Sequence, residues 1–399
     1  MKGDNIMISK RIGDINESPT RKLIPYANMA KEKGKNIFQL NIGQPDLATP
    51  KEFFERIGKF SDKTLAYALS QGIPELVEGI RRYFERQGLS FEKNEIMITT
   101  GGSEALLFSM MVLCDPGDEI LVPEPFYTNY LTFSRMINVN LVPIETNIED
   151  SFHLPSKEKI EALISKKTKA ILITNPGNPT GVVYSEEELK MIDEIVNDNE
   201  LFLISDEVYR DYIYDGLKYI SIANITKSDK YVLIDSISKK YSACGARIGM
   251  IACKNQEFLK QFLKLCQSRL ASPTMEQYAA VALFNMTDEY IEETKVEYQK
   301  RRDVLMKCLS EIPGVKYSNA KGAFYTMAKL PVENAEEFII WMVSNYDIDG
   351  NTLLLTPCEN FYVTKGKGLN EVRIAYVIES EKLIKSMEIL KGALEEYKK

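Results

Sequence analysis

In "DSISKKYSACGARIG", from Asp235 to Gly249, two adjacent lysines, Lys239 and Lys240, stand among serines and small residues, and Arg247 follows eight positions after the first. A lysine walled off from water has a depressed pKa and becomes a nucleophilic amine. Arginine offers a planar fork of donors suited to a phosphate. Taken alone, the stretch also suits a solvated loop. A second reactive group, Asp206, closes the apolar run "LFLIS". Burying a carboxylate there is costly unless it meets a cation or a donor, and Arg210, four residues on, is the ordinary partner. Three further stretches carry more polar or flat groups than a turn requires. "GGSEAL" opens a helix pattern with two glycines and a serine, either a tight turn or an anion site of exposed amides. "PFYTNY" offers Phe126 as core filler and Tyr127 as a face for a flat ring. "NPGNPTG" makes turns, and its Asn178 can direct an amide inward.

Each of these stretches follows an apolar, β-branched run. The runs "EIMITT", "EILVPE", "NLVPIE", "KAILITN", "LFLISD", "KYVLIDS" and "RIGMIAC" alternate with helix patterns: "SEALLFSMMVLC", "PSKEKIEALISKK" and "SEEELKMIDEIVND", the last opening on a Ser185–Glu188 capping box. Such alternation predicts an α/β fold with one wide, mostly parallel sheet of seven strands between helices. Sheets of this kind bind ligands beyond the carboxyl ends of their strands, where all the stretches above lie. Past residue 255 helices dominate, and the long pattern "MTDEYIEETKVEYQKRRDVLMKCLSEI" is suited to bridge two domains. "GAFYTMAKL", "EVRIAYVI" and the terminal helix pattern read as a small α+β unit. The expected division is an arm (1–45) joining the small domain, a large domain (46–290) and a small C-terminal domain (291–399).

Composition narrows the chemistry. At 399 residues and 44% hydrophobic, the chain fills two cores. Its net charge of -7 is spread along the length without a basic block, which argues against a nucleic-acid partner. The longest apolar run, "ALLFSMMVLC", is half what a bilayer needs, and the N-terminus lacks the apolar core of a signal peptide. A cytoplasmic protein without membrane contact is expected. The six cysteines form no CxxC pair, and a single histidine, His153, in the turn-like "EDSFHLPS", leaves no material for a triad or a histidine metal centre. His153 is read as incidental, and no metal is expected. The hard chemistry then falls to lysine, tyrosine, carboxylate or a bound cofactor. A flat ring, a phosphate, an aldehyde for a lysine and a cationic atom for an aspartate meet in one molecule, pyridoxal 5'-phosphate.

The ordered set "NIGQPD", "YALSQGIPEL", "GGSEAL", "NPGNPTG", "SDEVY", "SISKKYSACGARIG" and "NEVRIAY" resembles the class I/II aminotransferases, pyridoxal-phosphate enzymes of fold type I, over nearly the whole chain. The resemblance implies that Lys239 forms the internal aldimine and serves as general base. It implies that Asp206 pairs with the ring nitrogen, that Asn178 and Tyr209 bond the phenolic oxygen, and that Tyr127 stacks on the ring. The phosphate is implied to lie among Gly102, Ser103, Glu104, Ser236, Ser238 and Arg247, with Glu104 offering its backbone amide. Tyr67 is implied to reach the phosphate of a neighbouring subunit, hence a homodimer with shared active sites. Gly43 and Arg373 are implied to hold the substrate α-carboxylate, with Tyr325 lining the site and Lys240 a surface or supporting charge. For Arg373, an exposed strand residue is the ordinary alternative.

The implied reaction is ping-pong transfer of an amino group from an L-amino acid to a 2-oxo acid. The likeness is greatest to the aspartate aminotransferase group, so aspartate and 2-oxoglutarate are the expected pair. Arg269 and Arg21 are the candidates for a second cation to hold a side-chain carboxylate. "TPCENFY" departs from the Ala-Pro-Gly that relatives often carry there, placing Cys358 near the substrate loop. Aromatic or alanine-like substrates, or a carbon–sulfur β-elimination, use the same lysine and stay open. A regulator with an aminotransferase-like sensor would need a helix-turn-helix module for which the N-terminal arm has no room.

Overall fold

The computed structural model describes residues 9–13, 15 and 17–397. A helix, Ile24–Glu32, leads into the short strand β1 (Asn36–Gln39). The strands β2 (Ile96–Thr99), β3 (Glu119–Glu124), β4 (Asn140–Glu145), β5 (Thr168–Thr174), β6 (Phe202–Asp206), β7 (Tyr231–Ser236) and β8 (Gly249–Ala252) then build one seven-stranded sheet. Their order is β2-β8-β7-β6-β5-β3-β4, and β8 runs antiparallel to both its neighbours while the other pairs are parallel. All seven expected runs become these strands. Every residue of β6 and β7 is buried, because helices cover both faces, and this is why the runs are continuously apolar instead of alternating. Ile171, Leu203 and Leu233 face one core with helices Pro74–Arg86 and Glu186–Asp198. Their neighbours Leu172, Ile204 and Val232 face another with helices Gly101–Leu113 and Gln256–Ser268.

β4 lies on one side of β3 and β5 on the other, so the direction of winding reverses there and a crevice opens at the carboxyl ends. A further core gathers around β9 (Lys316–Tyr317), β10 (Tyr325–Lys329), β11 (Asn351–Leu354), β12 (Thr356–Pro357) and β13 (Glu371–Ala375). The order β12-β13-β10-β9 is antiparallel, while β11 pairs in parallel with β1. Leu23, Ala27 and Leu40 from the N-terminal part pack into this core beside Phe338, Leu353 and Leu390. Fully burying each such leucine contributes about 2 kcal/mol. The helix Glu289–Ser310 joins the two regions: Ile291 packs with the sheet core, Tyr298, Leu305 and Leu309 with the other.

The stretch "PSKEKIEALISKK" departs from expectation. Only Lys157–Glu161 is helical. β5 begins at Thr168, and the chain must turn first; the turn is closed by Ser165 N–H donating to Thr168 Oγ1 at 2.9 Å.

Candidate active site

The strand ends of the large sheet open into a cavity of about 580 Å³, lined among others by Lys239, Asp206, Tyr127, Asn178, Tyr209 and Arg373. Lys239 sits in a one-turn helix, Ile237–Lys240, begun by Ser236, whose Oγ accepts the Ser238 N–H at 3.1 Å. Tyr212 donates its hydroxyl to the Lys239 carbonyl at 3.0 Å, fixing the turn from below. The Lys239 Nζ donates to the Gly43 carbonyl at 2.9 Å and lies 3.8 Å from Cys244 Sγ. Burial alone pulls this amine down, but the ionisable Tyr325, Cys244 and Tyr127 groups outweigh it, and the amine titrates above its usual value. The depressed pKa expected from seclusion is therefore not found: three acidic side chains around the nitrogen favour its charged form.

Asp206, at the buried end of β6, accepts the Tyr130 hydroxyl at 2.5 Å and has no ion-pair partner among the described residues. Burial pushes its carboxyl up to about 6, against the opposing pull of the Tyr130 hydrogen bond. Arg210 is not the partner. Its guanidinium lies 3.7 Å from Glu207 and over the rings of Phe84 and Tyr219, because successive side chains at a strand end point to opposite faces.

Tyr130 escaped the sequence reading, although it follows Tyr127 by three residues at a helix start, a spacing that puts both on one side of the turn. A hydrogen bond to a charged group is worth about 1.5–3 kcal/mol, roughly one to two pH units. Tyr130→Phe should therefore raise the Asp206 pKa further by that amount, as read from its carboxyl carbon in a labelled NMR titration. An unmoved titration would remove Tyr130 from this role.

Arg373 stands on β13 between Met327 and Thr356, and it is buried, not an exposed strand residue. Nη1 donates to Asn178 Oδ1 at 3.0 Å and Nη2 to the Asn41 carbonyl at 2.8 Å, while Nε has no partner. Its guanidinium lies 4.5 Å over the Tyr325 ring, whose hydroxyl is 3.0 Å from that of Tyr209. Gly43 is required here: a Cβ would fall 1.6 Å from the Tyr325 hydroxyl oxygen.

At the other end of the cavity, Gly102 and Ser103 begin the helix Gly101–Leu113 and face Ser236, Ser238 and Arg247. A Cβ on Gly101, whose φ is +74°, would lie 2.4 Å from Arg247 Nη2. Helix-start amides, two hydroxyls and a guanidinium together make an anion site.

Four sequence candidates stand elsewhere. Glu104 does not line the cavity; its carboxylate accepts the Thr100 N–H at 2.8 Å and pairs with Arg269 at 3.0 Å. Arg269 is thereby engaged, donates also to the Ile98 carbonyl, and stays outside the cavity. Tyr67 is 81% exposed. Lys240, expected as a surface or supporting charge, is fully buried, donating to Tyr83 and Asp235 at 2.6 Å each and pairing with Asp211 at 3.0 Å. Arg21, by contrast, lines the cavity and has no ion pair among the described residues. His153 is half-exposed against Glu188.

Residues 35–390 match the model of the family "Aminotransferase class I and II". The chain belongs to that family. As an aminotransferase it is 29% identical over 398 residues to an aspartate aminotransferase of Bacillus subtilis, covering 98% of this chain and 99% of the relative. It is 30% identical over 396 residues to a probable aspartate/prephenate aminotransferase of Aquifex aeolicus, with 98% and 99% covered. An alanine aminotransferase from Pyrococcus furiosus superposes with a TM-score of 0.90 at 30% identity, over 98% of this chain and all of that one. The fold of the aminotransferase is pyridoxal-phosphate type I, and its family uses that cofactor. Among the described residues no group of histidine, cysteine or acidic side chains could hold a metal ion, and no helix is long and apolar enough to cross a membrane.

Proposed function

We propose that this aminotransferase moves the amino group of L-aspartate to 2-oxoglutarate in ping-pong order, with pyridoxal phosphate held in the cavity described above. The observation that carries the proposal is the buried Asp206 carboxylate, turned into the same cavity as Lys239 and lacking a cation of its own. A cationic ring nitrogen supplies that missing partner. The cofactor contributes an aldehyde for amine exchange and a sink for the electrons of a broken Cα–H bond.

The chain's own residues do the rest. Asp206 holds the ring nitrogen charged, Tyr127 packs on the ring face, and Asn178 and Tyr209 donate toward the phenolic oxygen. Gly102, Ser103, Ser236, Ser238 and Arg247 hold the phosphate, and the Cβ-free Gly101 lets the guanidinium approach. Arg373, with Nε free of partners, grips the substrate α-carboxylate beside Gly43 and Tyr325. Lys239 Nζ, tethered near Gly43, takes the proton from the substrate Cα and returns it on the other side of the transfer.

Arg21 is the cation at the cavity wall that selects a second carboxylate, since Arg269 is held by Glu104. Arg21 is an exposed residue of the cavity lining, and an exposed ion pair is worth about 0.2–1 kcal/mol. Arg21→Ala should therefore lower kcat/KM for aspartate by up to roughly 5-fold, while the value for alanine changes little. Equal losses for both would reject Arg21 as the selector. The wider test is a substrate panel: glutamate formed from aspartate and 2-oxoglutarate supports the proposal, whereas pyruvate and ammonia from a sulfur amino acid would mark a β-lyase.

We infer also a cytoplasmic homodimer and the division into an arm (1–45), a large domain (46–290) and a small domain (291–399). Tyr67 stands between Leu65, 60% exposed, and Leu69, 63% exposed. A second copy covering this apolar segment would bring Tyr67 to its cofactor phosphate.

A further inference from the structure

Cys244 has no part in the scheme above, yet its thiol stands in the cavity against the reactive amine. The Sγ lies 3.8 Å from Lys239 Nζ and donates to the Ser238 carbonyl at 3.0 Å. The turn Cys244–Ala246 is separated by three residues from the one-turn helix Ile237–Lys240 that carries Lys239, so one short segment holds both groups. The thiol is half-buried and lines the cavity, open to a small solute. None of the other five cysteines lines the cavity. Burial pushes Cys114 and Cys253 up to about 12 and Cys266 up to about 11, and raises Cys308 and Cys358 as well, so these thiols stay protonated.

We propose that Cys244 and Lys239 form a peroxide-responsive switch, in which a sulfur–nitrogen bond between the two side chains disables the site. The inference rests on Lys239 being the reacting amine. In the first step the Cys244 sulfur attacks one oxygen of hydrogen peroxide and the O–O bond breaks. Water leaves and the sulfur, oxidised by two electrons, carries a hydroxyl as a sulfenic acid. The Lys239 nitrogen then attacks that sulfur, the S–O bond breaks, and the departing hydroxide takes a nitrogen proton to leave as a second water. The pair has lost two hydrogens and the peroxide has become two waters. A thiol reductant reverses the link by attack on sulfur, restoring amine and thiol at the expense of its own oxidation to a disulfide.

Proximity makes the second step feasible. The raised Lys239 pKa leaves little neutral amine at neutral pH, but a nucleophile held this close acts at a very high effective concentration. Cofactor bonded to Lys239 removes that nucleophile. The form with its amine free is therefore the sensitive one, and the cofactor-loaded form is protected.

The test uses the full chain, cofactor-free and loaded with pyridoxal phosphate, exposed to hydrogen peroxide and digested without reductant for mass spectrometry. The expected product is a cross-linked pair of peptides containing Cys244 and Lys239, two hydrogens lighter than their sum. It should appear in the cofactor-free sample, vanish with dithiothreitol, and be absent from Cys244→Ser and from Lys239→Arg. Exposed to peroxide without cofactor and only then loaded with pyridoxal phosphate, Cys244→Ser should keep the activity of its own untreated sample, whereas the natural sequence should be silenced. Recovery of Cys244 as an unlinked sulfinic acid, with Lys239 still open to acylation, would overturn the switch. The aminotransferase proposal is judged separately, by the visible absorbance on adding pyridoxal phosphate and by glutamate formation, neither of which depends on the link.

Discussion

Lys239→Ala is expected to lower kcat for amine transfer by roughly 10⁴- to 10⁶-fold, since one nitrogen is asked both to bond the cofactor and to move the Cα proton. The rest of the cavity stays intact, so the variant should still bind pyridoxal phosphate through Asp206 and the anion end. What it should lose is covalent capture: borohydride fixes the cofactor to the natural chain but not to the variant. Lys239→Arg keeps the positive charge and should fail equally, because a guanidinium does not give up its proton near neutral pH. A Lys239→Ala protein still labelled through borohydride would assign the chemistry to another amine.

Asp206→Asn carries the second large effect, with opposite signs in two measurements. Two unit charges at ~4 Å are worth about 4 kcal/mol at an effective dielectric of 20, so kcat/KM should fall by on the order of 10³-fold. Without cofactor the substitution should stabilise the fold. Burial pushes the Asp206 carboxyl up to about 6 in the folded chain, from an ordinary value of 3.8. The folded state thus binds the extra proton between those values, and stability falls as pH rises through that window. Below about pH 4 the carboxylate carries no penalty; above about pH 6 it carries the full one, about two units or roughly 3 kcal/mol. Asparagine has no such penalty. The melting temperature of the cofactor-free variant should exceed that of the natural sequence by a few degrees at pH 8 and match it at pH 4. A lower melting temperature at pH 8 would contradict the unpaired burial on which the proposed function stands.

The sheet was legible because its strands are buried on both faces: runs such as "LFLISD" and "KYVLIDS" have no other stable use, and their ends point to the cavity. Residues placed by local turns, Lys239 after Ser236 and Gly102 after β2, were legible for the same reason. Pairings across the chain were not. Lys240 looks like a surface charge beside Lys239, and its burial depends on Tyr83, 157 residues away. Glu104 and Arg269 each looked available until 165 residues of intervening chain brought them together. The sign of the Lys239 shift was likewise hidden: Tyr127 and Tyr325 were expected in the site, but not that they and Cys244 together outweigh the burial of the amine. Tyr130 was overlooked because a tyrosine at a helix start reads as packing until its hydroxyl is seen on Asp206.

The pairing of β1 with β11 joins Asn36 to Asn351, a separation of 315 residues. Arg373 arrives later still, on β13. During synthesis the large sheet can therefore assemble while the first strand waits, its backbone donors and acceptors unmatched, for a partner the ribosome has yet to make. Such long-range closure is slow and leaves sticky edges exposed. A nascent chain would meet its vitamin-derived coenzyme with only part of the clasp for substrate in hand, and catalytic competence would come last, when the final strand docks.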